Sequence, residues 1–307
     1  MQAYTAQFLH TFAVLAGRTR VLRIQFLQPK GPLMMDLSLG TFVTYNPRAI
    51  AADASVGEVR RAMDEYQVRH IPVVDDERRI VGVVSHRDLA RVQIPELVPL
   101  NTDEPSTAAW DECPLRVADV MTSDVITIDQ NDTPMRVLEV FLQHHIHSAP
   151  VVEAGRLLGV VTSGDFLREL SYGELPCCRE TVGRHMHDQH ARIDYLATAA
   201  DTWRTMADER TEFLAVVRGD CPVGVVSKRS LRAASGEASE MNTSLDFLDG
   251  AIDAAPREIA SRVTLAVAAG AMIEQRQEAL PVVQRSHHLV GLITEDKLLE
   301  AITADLT

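Results

Sequence analysis

One pattern recurs four times along the chain at a fixed spacing, and that constrains the fold more than any other feature. A run of four apolar residues appears as Ile71-Pro72-Val73-Val74, Ala149-Pro150-Val151-Val152, Leu214-Ala215-Val216-Val217 and Leu280-Pro281-Val282-Val283. Nine or ten residues further on comes a second run: Val81-Gly82-Val83-Val84-Ser85, Leu158-Gly159-Val160-Val161-Thr162, Val223-Gly224-Val225-Val226-Ser227 and Val290-Gly291-Leu292-Ile293-Thr294. Met121 stands 38 positions before Gly159 and Met186 stands 38 before Gly224, while Val43 and Ile252 stand 39 before Gly82 and Gly291. Such periodicity implies copies of one supersecondary unit, each too small to bury its own apolar face.

The second copy predicts the unit most clearly. Val125 to Ile128 is a short alternating run, and Thr133-Pro134 reads as a helix N-cap followed by its first residue. Met135, Leu138, Phe141 and Leu142 follow at helical spacing. The two apolar runs are strand candidates joined by a turn at Glu153 to Arg156, and Thr162-Ser163-Gly164-Asp165 opens a closing helix. The expected fold class is therefore α/β, built from four β-α-β-β-α repeats. The expected divisions are an N-terminal extension at 1–36 and repeats at 37–92, 115–170, 180–235 and 246–303.

Charge excludes some partners. The net charge of −13 leaves no basic footprint for nucleic acid or for an anionic membrane surface. The apolar stretch at Phe8 to Gly17 is broken by His10 and Thr11, and its positive charges follow it rather than precede it, the reverse of a secretory signal. Cys113, Cys177, Cys178 and Cys221 have no disulfide-framework spacing, so a reducing cytoplasm is expected. Residues 1–34 lack Asp and Glu but carry Arg18, Arg20, Arg23 and Lys30. Three readings stay open for them: a native start at Met34 or Met35, an arm packed on the repeats, or an organelle-targeting segment.

From about residue 37 to 303 the pattern resembles the cystathionine-β-synthase (CBS) domain family, whose hallmark is an apolar-Pro-Val-Val strand followed by Gly, two apolar residues and Ser/Thr-x-x-Asp. The resemblance implies that the repeats pair through their sheets into two Bateman modules, 37–170 and 180–303. It also implies a ligand site. In family members that bind adenosine compounds, the Asp of Ser/Thr-x-x-Asp accepts the ribose hydroxyls. Here that places Asp88 and Asp165, with Ser85 and Thr162 beside them, against a ribose. The same residues also fit a plain helix cap, in which Ser or Thr satisfies a free N–H and the acid suits the positive helix end. Nucleotide-binding members carry basic residues two and three places before the strand proline. Arg69, His70 and His147 fill those places, and they read either as phosphate partners or as solvated residues at a strand edge.

The second module departs from this scheme. Ser230 and Lys297 replace the Asp, Glu212 and Glu278 replace the basic residue, and Asp296 lies one position early. A structural, dimer-forming or partner-binding role is expected there. The run Cys177, Cys178, His185, His187 and His190, and the group His144, His145 and His147, match no common metal spacing. No phosphate-binding glycine loop and no nucleophile elbow is present, so no catalytic residue is assigned and no enzyme is expected. The linker Gln93 to Pro114 holds Trp110, expected to dock on a module. The resulting expectation is a stand-alone regulatory protein, a homodimer with an effector partner of unknown identity. It would need no cofactor and would sense AMP, ADP or ATP in its first module. The alternatives are a scaffold without ligand, or a sensor of S-adenosylmethionine or a Mg-nucleotide.

Overall fold

The computed structural model describes residues 38–66, 68–90, 92, 110, 113–173, 175–188, 192–235, 251–254, 258–284 and 287–306. The readings for residues 1–36, for most of the linker 93–114 and for His190 lie outside them.

All four repeats have one element order. The first runs β2 (Ile50–Ala51), α1 (Val56–Tyr66), β3 (His70–Val74), β4 (Ile80–Ser85) and α2 (His86–Ala90). The second runs β5 (Ile128–Asp129), α4 (Pro134–His144), β6 (Ser148–Glu153), β7 (Arg156–Thr162) and α5 (Ser163–Tyr172). The third runs β8 (Arg192–Asp194), α6 (Ala199–Asp208), β9 (Phe213–Arg218), β10 (Cys221–Ser227) and α7 (Lys228–Ser235). The fourth runs β12 (Ile259–Ala260), α8 (Leu265–Gln275), β13 (Ala279–Gln284), β14 (His288–Thr294) and α9 (Glu295–Leu306). In each, the first strand lies parallel to the second and the second antiparallel to the third. Local chemistry sets the ends: Thr133 Oγ1 accepts from the Arg136 N–H at the start of α4, and His145 closes that helix in the left-handed conformation.

The lead-in segments cross over between repeats. β1 (Thr44–Tyr45), which precedes the first repeat, pairs antiparallel with β7 of the second. α3 (Val117–Val120) leads to Thr122, which bridges to Val83 in β4. The second pair repeats the exchange: β11 (Ile252–Ala254) joins β10, and His187 bridges to Leu292 in β14. This crossing explains the recurrent glycine. A Cβ on Gly82 would strike Met121, one on Gly159 would strike Val43, and one on Gly291 would strike Met186 and the His187 backbone. Met121, Val43 and Met186, three of the residues that mark the sequence period, thus press on the glycine of the neighbouring repeat, not on their own.

Sheet contact joins repeats 1 and 2, where Leu157 N–H donates to Arg78 O at 2.8 Å, and repeats 3 and 4, where Leu289 N–H donates to Asp220 O at 2.9 Å. The second pair also buries Ala215, Val217, Val225, Ala279, Leu289 and Leu292 together. The largest core instead crosses between the pairs. Leu138, Phe141, Phe166 and Leu170 of repeat 2 share it with Leu265, Ala269, Met272, Leu298 and Ile302 of repeat 4. α8 packs its buried face, Leu265, Ala268, Ala269 and Met272, against the core, its Ala and Gly residues permit close approach to α5, and Val267 on its outer side is exposed. Trp110 is buried in the core of repeat 1, with the Arg60 guanidinium 5.6 Å from its ring.

Candidate functional site

The last strand of every repeat ends at Ser85, Thr162, Ser227 or Thr294, and the closing helix begins at the next residue. That residue's N–H turns back onto the segment before the second strand. His86 donates to Arg69 O at 3.0 Å, Ser163 to His147 O at 3.0 Å, Lys228 to Glu212 O at 3.0 Å and Glu295 to Glu278 O at 2.8 Å. Each repeat therefore sets two side chains next to one another: Arg69 with His86, His147 with Ser163, Glu212 with Lys228, and Glu278 with Glu295. The backbone is the same four times; only the charges differ.

The two Asp residues sit where the sequence predicts, and both act as caps. Asp88 Oδ2 accepts from the Ser85 N–H at 2.8 Å and the Ser85 hydroxyl at 2.6 Å. Asp165 Oδ2 accepts from the Thr162 N–H at 2.8 Å and hydroxyl at 2.7 Å, while its Oδ1 takes Arg168 at 2.9 Å. Repeat 3 keeps the cap without charge, Ser230 Oγ accepting from the Ser227 N–H at 3.0 Å. In repeat 4 the cap is reduced to Lys297 N–H donating to Thr294 Oγ1 at 3.4 Å.

Arg69 and His147 face acids of another repeat, whereas His70 is exposed at the start of β3, as expected of a solvated strand-edge residue. Arg69 forms an ion pair with Glu278 of repeat 4 and donates through its other terminal nitrogen to Arg276 O at 3.2 Å. The same Glu278 oxygen takes Arg229 of repeat 3 at 3.0 Å. His147 faces Glu295 at 3.9 Å and Asp296 at 3.7 Å. Lys228 is held within its own repeat by Glu212 at 2.6 Å. His70 opens to solvent at the start of β3; burial by the surrounding protein and then the charge of Arg69 push its pKa down to about 4. Both causes act the same way, and because the side chain is exposed the Arg69 charge is the firmer one. His70 is thus neutral at pH 7 and can offer a ligand a hydrogen bond but no charge.

Two acids of repeat 4 belong to this centre: Glu278, which the sequence marked only as a departure at the basic position, and Glu295, which it did not single out. Burial works to raise the pKa of Glu278, but the guanidinium groups of Arg229 and Arg69 outweigh it and hold the carboxylate below its ordinary range. Glu295 goes the other way: burial raises it, Glu278 and Asp296 add to the rise, and His147 and a hydrogen bond from Ser163 oppose it. The signal was the acidic replacement at positions 212 and 278, which reads as repulsion of phosphate until the repeats are seen to face one another. Asp296 lies 3.7 Å from His147 of repeat 2.

Residues 39–94, 117–172 and 259–304, just over half of the sequence, match the CBS domain family model. The chain belongs to the CBS-domain family. Its third CBS repeat lies outside the matched stretches yet has the full element order, and the sheet pairs described above are two Bateman modules. A solved protein of Methanocaldococcus jannaschii, described as a candidate archaeal homologue of γ-AMPK, is 20% identical over 86% of this chain and 99% of its own, with TM-score 0.63. An uncharacterised conserved protein of Pyrococcus horikoshii is 19% identical over 87% of this chain and 100% of its own, with TM-score 0.58. Both likenesses are of fold. Inosine-5'-monophosphate dehydrogenase of M. jannaschii is 27% identical over 136 residues, 44% of this chain and 23% of the enzyme. The chain spans about a quarter of the length of the curated relatives it matches. Among the described residues no cluster of His, Cys, Asp and Glu is suited to a metal, and no helix is long and apolar enough to cross a membrane.

Proposed function

We propose that this chain is a regulatory CBS protein that binds an adenine nucleotide (AMP, ADP or ATP) in its first module and passes the occupancy on to a partner protein. One observation carries the reading. In both repeats of that module a capping carboxylate and a basic residue stand on either side of one helix start, Asp88 with Arg69 and Asp165 with His147. A carboxylate can accept two vicinal ribose hydroxyls, and a helix start with a nearby guanidinium suits phosphate. Ser85 and Thr162 orient the carboxylates, and His70 supplies a neutral hydrogen-bonding group. The ligand regulates only if it prefers one arrangement of the two repeats over another. No cofactor and no catalytic residue enter this reading, and the activity of the dehydrogenases does not come with a shared quarter of their length. Homodimerisation and a cytoplasmic setting stay part of the proposal.

A second reading has its own support. Asp88 and Asp165 are each spent on a cap, and Arg168 holds the second oxygen of Asp165, which is what a scaffold without ligand requires. Thermal unfolding with AMP, ADP, ATP, Mg-ATP and S-adenosylmethionine separates the two. A ligand at about 100 times its Kd stabilises by roughly 2.7 kcal/mol. The expected result is a selective rise in Tm that Asp88→Ala and Asp165→Ala abolish. No rise with any of these ligands establishes the scaffold reading.

A further inference from the structure

We infer that Glu278 of repeat 4, seconded by Glu295, is the specificity-determining residue of the first-module site, tuning it to adenosine compounds that carry little or no phosphate charge. The inference rests on the nucleotide-site reading and deepens it. The two basic residues that a phosphate would need already face acids across the module boundary: Arg69 is paired with Glu278 and donates to the Arg276 carbonyl, and the His147 ring lies 3.9 Å from Glu295 and 3.7 Å from Asp296. Glu278 is itself clamped between guanidiniums of repeats 1 and 3. Lys228, at the start of the closing helix of repeat 3, is taken by Glu212. The centre is thus charge-balanced by the protein's own carboxylates, which stand where the phosphates of a nucleotide would otherwise stand.

An incoming phosphate must displace Glu278 from Arg69, leaving two anions to share the same guanidiniums. Each added phosphate raises that cost, whereas the adenosine part meets none of it. The exchange is physically open, because the Arg69 and Glu278 side chains keep 41% and 26% of their surface exposed. A ligand with a polyphosphate tail is therefore disfavoured, and one that does enter breaks the Arg69–Glu278 contact between the modules.

Calorimetric titration of the full chain with adenosine, AMP, ATP and inorganic tripolyphosphate tests this in the native sequence and in Glu278→Gln, with Glu209→Gln as a remote variant of equal charge change. The expected result is native affinity in the order adenosine or AMP above ATP. In Glu278→Gln, affinity for ATP and tripolyphosphate rises on the order of tenfold, less at high salt, with adenosine unchanged. If Glu278→Gln binds ATP and tripolyphosphate no tighter than the Glu209 variant, or tightens equally for adenosine, the inference is overturned, and the nucleotide reading survives wherever adenosine or AMP still binds. If no adenosine compound binds but tripolyphosphate gains in Glu278→Gln, the nucleotide reading falls and the role of Glu278 stands. Binding of none of them to any variant removes both. Glu295→Gln, which leaves the Arg69 ion pair in place, repeats the test from the His147 side should Glu278→Gln fold poorly.

Discussion

Glu295 is a buried carboxylate beside two others, and its titration runs opposite to that of His70. Because the folded state raises the Glu295 pKa above the ordinary 4.5, the folded chain binds the proton more tightly than the unfolded one. Its contribution is most favourable below that ordinary value and is lost as pH rises through the folded one. Glu295→Gln should therefore raise Tm near pH 7 and converge with the native protein near pH 4, as a series of melts against pH will show. His70 is depressed from 6.5 to about 4, so its contribution is complete above 6.5 and is lost as pH falls through about 4. His70→Asn should flatten that acid limb, modestly, since the side chain is exposed. At this scale Asp88, Asp165, Arg69 and His147 were legible because they sit at fixed offsets in a repeat. The pairing of Glu278, and Glu295 altogether, were not, because their meaning depends on which repeat they face.

The elements are held by a glycine that serves the neighbouring repeat. At Gly159 an added Cβ meets the Val43 side chain and lies 3.0 Å from the Thr44 carbonyl, so Gly159→Ala should cost about 1–3 kcal/mol by forcing the lead-in strand off its sheet. At Gly270, inside α8, the nearest atom to a new Cβ is Ser171 Cβ at 3.9 Å, an ordinary contact. Gly270→Ala should stabilise by about 0.5–1 kcal/mol through helix propensity. Urea unfolding of the two variants checks both signs. Period and turn chemistry marked the strands and helices in sequence, down to the Thr133 cap. The exchange of lead-in segments was invisible, because a period of 38 or 39 residues reports that a contact recurs and not which copy makes it.

In the whole molecule, the core between repeats 2 and 4 should tie the modules into one cooperative unit. Leu170 and Met272 are fully buried in it from opposite modules. Leu170→Ala and Met272→Ala should each cost about 2–5 kcal/mol and shift the same calorimetric transition. Two transitions, each moved by one variant alone, would show modules that unfold independently. Sequence by itself determined the repeat, its α/β unit, the capping carboxylates and the charge at each equivalent position, because these follow from local spacing and residue chemistry. Only the tertiary structure decided that repeat 2 buries its helices against repeat 4, and that the acids of repeat 4 close on Arg69 of repeat 1 and His147 of repeat 2. Apolar helix faces carry no address for their partner, and a charge acquires its role from whatever packing brings opposite it.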